Sequence, residues 1–166
     1  SFPTLRSSEL IVYQSSVINH DDDCVSSKPN STNILVQGLH CNGSHGISVG
    51  SLGNYPYQYD IVSDLFIYNH TMTNTTTAAR LKVWPGAEAK KTGNPPGVGG
   101  GGKGYVRNVT YDTMINENND LAIQIEQCNG AINARECKKY TSGVTLTDVN
   151  FCNMWGKTNG ANDLVV

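Results

Sequence analysis

Val36-Gln37-Gly38-Leu39-His40-Cys41, followed by Asn42-Gly43-Ser44-His45-Gly46-Ile47-Ser48-Val49, sets the pattern of the whole chain. An apolar residue, four intervening positions and a second apolar residue sit in a period-two background, and a polar turn then leads to another short alternating run. The template also fits Val12 and Val17, Ile67 and Met72, Val109 and Met114, and Leu146 and Phe151, with successive copies 24, 31, 42 and 37 residues apart. A second short strand is expected after each of the first four copies: Cys24-Val25-Ser26, Gly46-Ile47-Ser48-Val49, Arg80-Leu81-Lys82-Val83 and Ala122-Ile123-Gln124-Ile125. Alternation of this kind puts apolar side chains on one strand face. A single copy cannot bury that face alone, whereas stacked copies bury a shared one, with like positions about 4.8 Å apart. The expected fold is all-β, a right-handed parallel β-helix of about five to six coils, with residues 1–166 forming one domain. A β-sandwich of unrelated short strands is the alternative.

Composition narrows the function classes. Only 38% of the 166 residues are hydrophobic and 16% are charged, while glycine occurs 17 times and asparagine 18. Such a chain favours turns and strand edges over helices. A net charge of −2 and a pI near 6.0 leave no basic footprint for nucleic acid. No apolar run approaches the roughly 18 residues of a membrane span. Five cysteines point to an oxidising compartment. Asn30, Asn42, Asn69, Asn74 and Asn108 each head an N-glycosylation sequon. No charged-then-apolar leader precedes Ser1, as expected of a removed signal or a partial sequence. The expected localisation is secreted and extracellular, and the expected state is a monomer.

Ala87 to Gly104, with Pro95-Pro96 and the run Gly99 to Gly102, reads as a mobile excursion from one coil. Gly97 with Gly102-Lys103 imitates a phosphate loop, but Gly104 stands where that motif needs Ser or Thr, and no helical pattern follows. The glycine run also matches GxGxxG trivially. Nucleotide binding is rejected for both.

Asp21-Asp22-Asp23-Cys24 is the main charge cluster, ordinarily a solvated acidic turn. Adjacent carboxylates repel, which raises the pKa of at least one and can set a protonated acid beside an ionised base. If Val25, Ile47 and Leu81 align in the second-strand register, then Asp22 and Asp23, His45, and Arg80 with Lys82 come together on three successive coils. Those coils span only about 10 Å. Carboxylates, an imidazole and two cations in one groove suit an acidic sugar: cations hold its carboxylate and acids work on the glycosidic bond. Alone, His45 reads as a turn histidine, and Arg80 and Lys82 as one exposed strand face.

Asp22-Asp23-Cys24, Gly43-Ser44-His45-Gly46-Ile47-Ser48-Val49-Gly50-Ser51-Leu52-Gly53 and Arg80-Leu81-Lys82 together resemble three signature blocks of the polygalacturonases, glycoside hydrolase family 28, in their order and spacing. Ser27-Lys28-Pro29-Asn30-Ser31-Thr32, Val83-Trp84-Pro85-Gly86 and Ile125-Glu126-Gln127-Cys128 look most like fungal exo-acting members. The resemblance implies an inverting hydrolase of α-1,4-linked galacturonan with no cofactor and no metal, and with pectin or polygalacturonate as its partner. It implies that Asp22 is the general acid, that Asp23 helps to activate water and that His45 orients the acid. Arg80 and Lys82 would bind the galacturonate carboxylate. Inversion ordinarily needs roughly 6.5–9.5 Å between acid and base, so the two aspartates would have to diverge across the turn.

The resemblance also implies disulfides Cys24 with Cys41 and Cys128 with Cys137, leaving Cys152 with a partner further downstream or as a buried thiol. Asn30, Asn69, Asn74 and Asn108 are expected to carry glycans. Asn42, inside the active-site block, is expected to stay unmodified. The family's Asn-Thr-Asp block, which supplies a further water-activating carboxylate, falls at or just before Ser1. Asp21 replaces the usual Gly or Gln, and Asn129 stands where exo-acting relatives have Tyr. The chain is therefore expected to be part of such an enzyme. The alternative is a non-catalytic galacturonan-binding β-helix or an inactive fragment lacking the first catalytic Asp. The glycine-rich excursion and Asn54-Tyr55-Pro56-Tyr57 are candidates for closing one end of the groove.

Overall fold

A computed structural model describes residues 10–86, 99–129 and 137–160. Eleven strands are placed among the described residues: β1 (Ile11–Gln14), β2 (Val17–Asn19), β3 (Val25–Ser27), β4 (Ser31–Gln37), β5 (His40–Asn42), β6 (Ile47–Leu52), β7 (Tyr59–Thr73), β8 (Thr77–Val83), β9 (Lys103–Asn119), β10 (Leu121–Glu126) and β11 (Gly143–Thr158). All strand pairings among the described residues are parallel. One sheet stacks β1, β4, β7, β9 and β11, and carries β2 and β5 alongside the second half of β7. The other stacks β3, β6, β8 and β10. The chain winds from one sheet to the other and back as a right-handed parallel β-helix, with five rungs in the first sheet among the described residues.

The inward positions form apolar stacks. Val36, Ile67 and Tyr111 are level in the first sheet, and Ile47 with Ala79 and Val49 with Leu81 in the second. All are buried. Tyr111 stacks on Phe151 at 5.3 Å, and its hydroxyl donates across the core to the carbonyl of Ile47 at 3.2 Å.

The register corrects several sequence expectations. Tyr13 and Ile18, not Val12 and Val17, are level with Val36 and Cys41. Val12 and Val17 are exposed. Val109 and Met114 are level with Leu65 and His70 rather than with Ile67 and Met72, and Leu146 is level with Val106. In the second sheet Ile47 faces Ala79, two residues before Leu81. At Tyr13 and Ile18 the preceding residue, Val12 or Val17, is itself apolar, so alternation alone does not say which of the two faces inward.

Corners explain the asparagine excess. Asn33, Asp64, Asn108 and Asp148 all adopt positive φ, as do Asn69, Thr113 and Asn153 and again Asn74 and Asn118. Asn and Asp tolerate this region because short polar side chains bond locally. At one corner the side chains themselves stack: Asn42 donates to Asn19 at 3.1 Å, Asn74 to Asn42 at 3.1 Å and Asn118 to Asn74 at 2.7 Å.

The glycine excursion divides in two. Residues 87–98, including Pro95-Pro96 and Gly97, lie outside the described residues. Gly99–Gly104 is packed rather than mobile: Gly100 donates to Asn54 O, Gly101 to Pro85 O and Gly102 to Gly53 O, at 2.7, 2.8 and 3.0 Å. A Cβ on Gly102 would stand 2.7 Å from the Tyr55 carbonyl oxygen. Close backbone approach is the reason for this run.

Candidate active site

The site lies where β3, β6 and β8 stack, together with the turns that lead into β3 and β6. The Cys24–Cys41 disulfide anchors the first turn, and the structure also joins Cys128 to Cys137. Two backbone bonds lock the turns together: His45 N–H to Asp22 O at 2.9 Å and Cys24 N–H to Gly46 O at 2.8 Å. Gly46 has φ +104, and a Cβ there would lie 2.3 Å from Thr77 O, so the imidazole-bearing turn requires glycine at this point. Thr77 Oγ1 donates to His45 O at 2.7 Å, tying the same turn to the next rung.

Two acid–base pairs with opposite environments result. Asp22 is open to solvent, its side chain 74% exposed, and its Oδ1 lies 3.7 Å from His45 Nδ1, on a ring 46% exposed. Asp23 turns inward. Its side chain is 8% exposed and meets Lys82 Nζ, 10% exposed, at 2.6 Å, while Ser48 Oγ donates to its other oxygen at 2.7 Å. Burial alone would raise the Asp23 carboxyl, but hydrogen bonds from Lys82 and Ser48, the Lys82 charge and Ser26 together hold it below the ordinary carboxylate range. Repulsion between neighbouring carboxylates therefore does not leave Asp23 protonated, contrary to the simple expectation for adjacent acids.

Arg80 lies level with Ser48 on the same face. Its Nη2 donates to Glu126 Oε2 at 3.0 Å, and its buried Nε has no hydrogen-bond partner. Asp22, Asp23 and His45 each offer a ligand atom within 4.8 Å of the others. A divalent ion would also suit that spacing, but the Lys82 ammonium already occupies Asp23 and would repel it. Proton transfer and carboxylate binding fit the arrangement better. The two aspartates do not diverge across the turn to the roughly 6.5–9.5 Å of ordinary inverting pairs.

All five residues singled out by sequence thus fall on one face of three rungs. Ser48 and Ser26, which hold Asp23, and Glu126, which pairs Arg80, carried no sequence signal of their own. The register would have found them, because Ser26, Ser48 and Arg80 are level, as are Lys82 and Glu126. Cys152 is exposed, which excludes the buried-thiol reading. Asn30, Asn69, Asn74 and Asn108 are exposed, and Asn42 is half-buried.

The family model described as Glycosyl hydrolases family 28 matches residues 4–166. The chain belongs to that family. Exopolygalacturonase X-2 of Emericella nidulans is 80% identical over 162 residues, covering 98% of this chain and 36% of that protein. Exopolygalacturonase X of Aspergillus niger is 52% identical over 160 residues, covering 96% and 36%. Among solved structures, the endo-xylogalacturonan hydrolase from Aspergillus tubingensis superposes with a TM-score of 0.79 at 34% identity, over 92% of this chain and 37% of its own. This family 28 chain therefore spans little more than a third of the length of these relatives. No helix among its described residues is long and apolar enough to cross a membrane.

Proposed function

We propose that this chain carries the acid and the carboxylate-binding face of an exo-acting, pectin-degrading hydrolase that cleaves α-1,4-galacturonosidic bonds of polygalacturonan with inversion. The observation that carries the reading is the pairing of an exposed Asp22–His45 contact with a buried, ionised Asp23–Lys82 pair on the same face as Arg80. Asp22 protonates the leaving oxygen, and His45, 3.7 Å away, orients it. Asp23, kept ionised, polarises the attacking water. Asp22 and Asp23 lie closer together than the roughly 6.5–9.5 Å of ordinary inverting pairs, so Asp23 reaches that water from the side, and the carboxylate that the family supplies upstream completes its activation. Arg80 and Lys82 face the uronate. The unpartnered Arg80 Nε supports that role, since a buried donor without an acceptor is costly and a substrate carboxylate relieves it.

Two disulfides and the exposed sequons support action outside the cell, with glycans on Asn30, Asn69, Asn74 and Asn108. In the full-length protein, Asp22→Asn is expected to lower reducing-sugar release from polygalacturonate by about 10²–10⁴-fold, with a galacturonate oligomer still bound in titration calorimetry. Equal rates from the variant and its parent would remove Asp22 from the chemistry. Turnover lost by both, with binding kept, would make the protein a galacturonan-binding β-helix.

A further inference from the structure

Lys28 follows β3 directly. Because Ser27 pairs with Val49 and Gly50 pairs with Lys82, Lys28 is level with Gly50 and Lys82 on the outer face of the second sheet. Its Nζ donates to Gly50 O at 3.2 Å, and Ser26 Oγ donates to the same carbonyl at 2.9 Å. No side chain can rise between the two lysines, since a Cβ on Gly50 would lie 2.3 Å from Lys82 O. Gly50 thus puts no side chain of its own between them, and the Lys28 ammonium rests on its carbonyl.

The charges on this face are unequally committed. Lys82 is matched by Asp23 and Arg80 by Glu126. Lys28 is exposed, and among the described residues its hydrogen-bond partner is a neutral carbonyl. An ammonium so placed keeps its charge available to a ligand. The backbones of Lys28 and Lys82 are two rungs apart, about 9–10 Å at ordinary strand spacing, with the Lys28 ammonium reaching over the rung between them. A polyuronate laid across the rungs carries a carboxylate on every sugar and so presents one to each lysine.

We infer that Lys28 is a second carboxylate-binding cation of the groove, holding the uronate of a sugar on the β3 side of the one held by Arg80 and Lys82. This rests on the hydrolase reading above. It makes Lys28 a residue that selects acidic over neutral polysaccharide without touching the scissile bond.

Lys28→Met and Lys28→Arg in the full-length protein test it, with polygalacturonate as substrate and trigalacturonate as titrant. Lys28→Met is expected to raise KM by roughly tenfold, as fits one lost charge-assisted hydrogen bond, with kcat within about twofold. Lys28→Arg should retain KM within about threefold, and salt near 0.5 M should narrow the difference between Lys28→Met and its parent. A Lys28→Met protein with parental KM and parental salt dependence overturns the inference while leaving an active hydrolase. So does one that loses kcat with KM unchanged. A parent that neither turns over nor binds polygalacturonate overturns the hydrolase reading and takes this inference with it.

Discussion

Lys82 and Asp23 are each nearly buried, and neither could carry its charge there without the other. An ion pair of this kind gives little net stability relative to a well-packed apolar pair, yet breaking it strands a charge. Lys82→Met is therefore expected to destabilise the full-length protein by about 3 kcal/mol, read from urea unfolding. Removing Lys82 also takes away the main groups that hold the Asp23 carboxyl down, so burial should drive that pKa upward, visible in the carboxyl NMR titration. Combining Lys82→Met with Asp23→Asn should cost less than the sum of the single changes, because the double variant leaves no stranded charge. Additive losses would show that the two side chains do not act as a pair.

Each coil turns through corners at which one residue takes positive φ, and side chains of successive corners bond to one another. Asn74, with φ 52, donates to Asn42 and accepts from Asn118. Asn74→Ala forfeits both bonds and places a Cβ-bearing residue with no polar compensation in the left-handed region, a loss of about 2 kcal/mol. Asn74→Gly keeps the backbone but not the bonds and should lose only about half as much. Thermal unfolding of the two variants checks the order, and an alanine variant as stable as the glycine one would assign the corner no conformational demand. These corners also explain what sequence could and could not say. The three chemistry-bearing blocks were legible because each is a short run of distinctive residues, and the strands were legible from alternation. Register was not, because a left-handed corner resets the inward-outward alternation inside each template. At Val12-Tyr13 and Val17-Ile18 two adjacent apolar residues then compete for one inward place. The pairing of Arg80 with Glu126 and the packing of Gly99–Gly104 depend on which rungs meet, information that exists only once the coil is wound.

Acid stability is a property of the whole solenoid, since groups on different rungs titrate in separate windows. His70 is buried in the first sheet: Leu39 N–H donates to its Nδ1 at 3.2 Å, and its Nε2 lies 3.1 Å from Val36 O, which fixes the neutral ring with the proton on Nε2. Burial lowers its pKa to about 4, although both backbone contacts oppose the shift. The unfolded chain, with an ordinary histidine near 6.5, binds that proton first. Stability from His70 is therefore complete above about pH 6.5 and is lost as pH falls toward 4, by roughly 2–3 kcal/mol between pH 7 and 4.5. Asp23 and Asp64, both held below the ordinary carboxylate range, act in the same direction but only below about pH 4. Asp64 is too exposed to contribute much, so Asp23 dominates that lower window. The unfolding free energy of the full-length protein should thus fall in two stages on acidification, the first assigned to one imidazole in the first sheet. His70→Gln should flatten the slope between pH 6.5 and 4.5 whatever it does to stability at pH 7. A slope unchanged in that variant would move the first stage to another group.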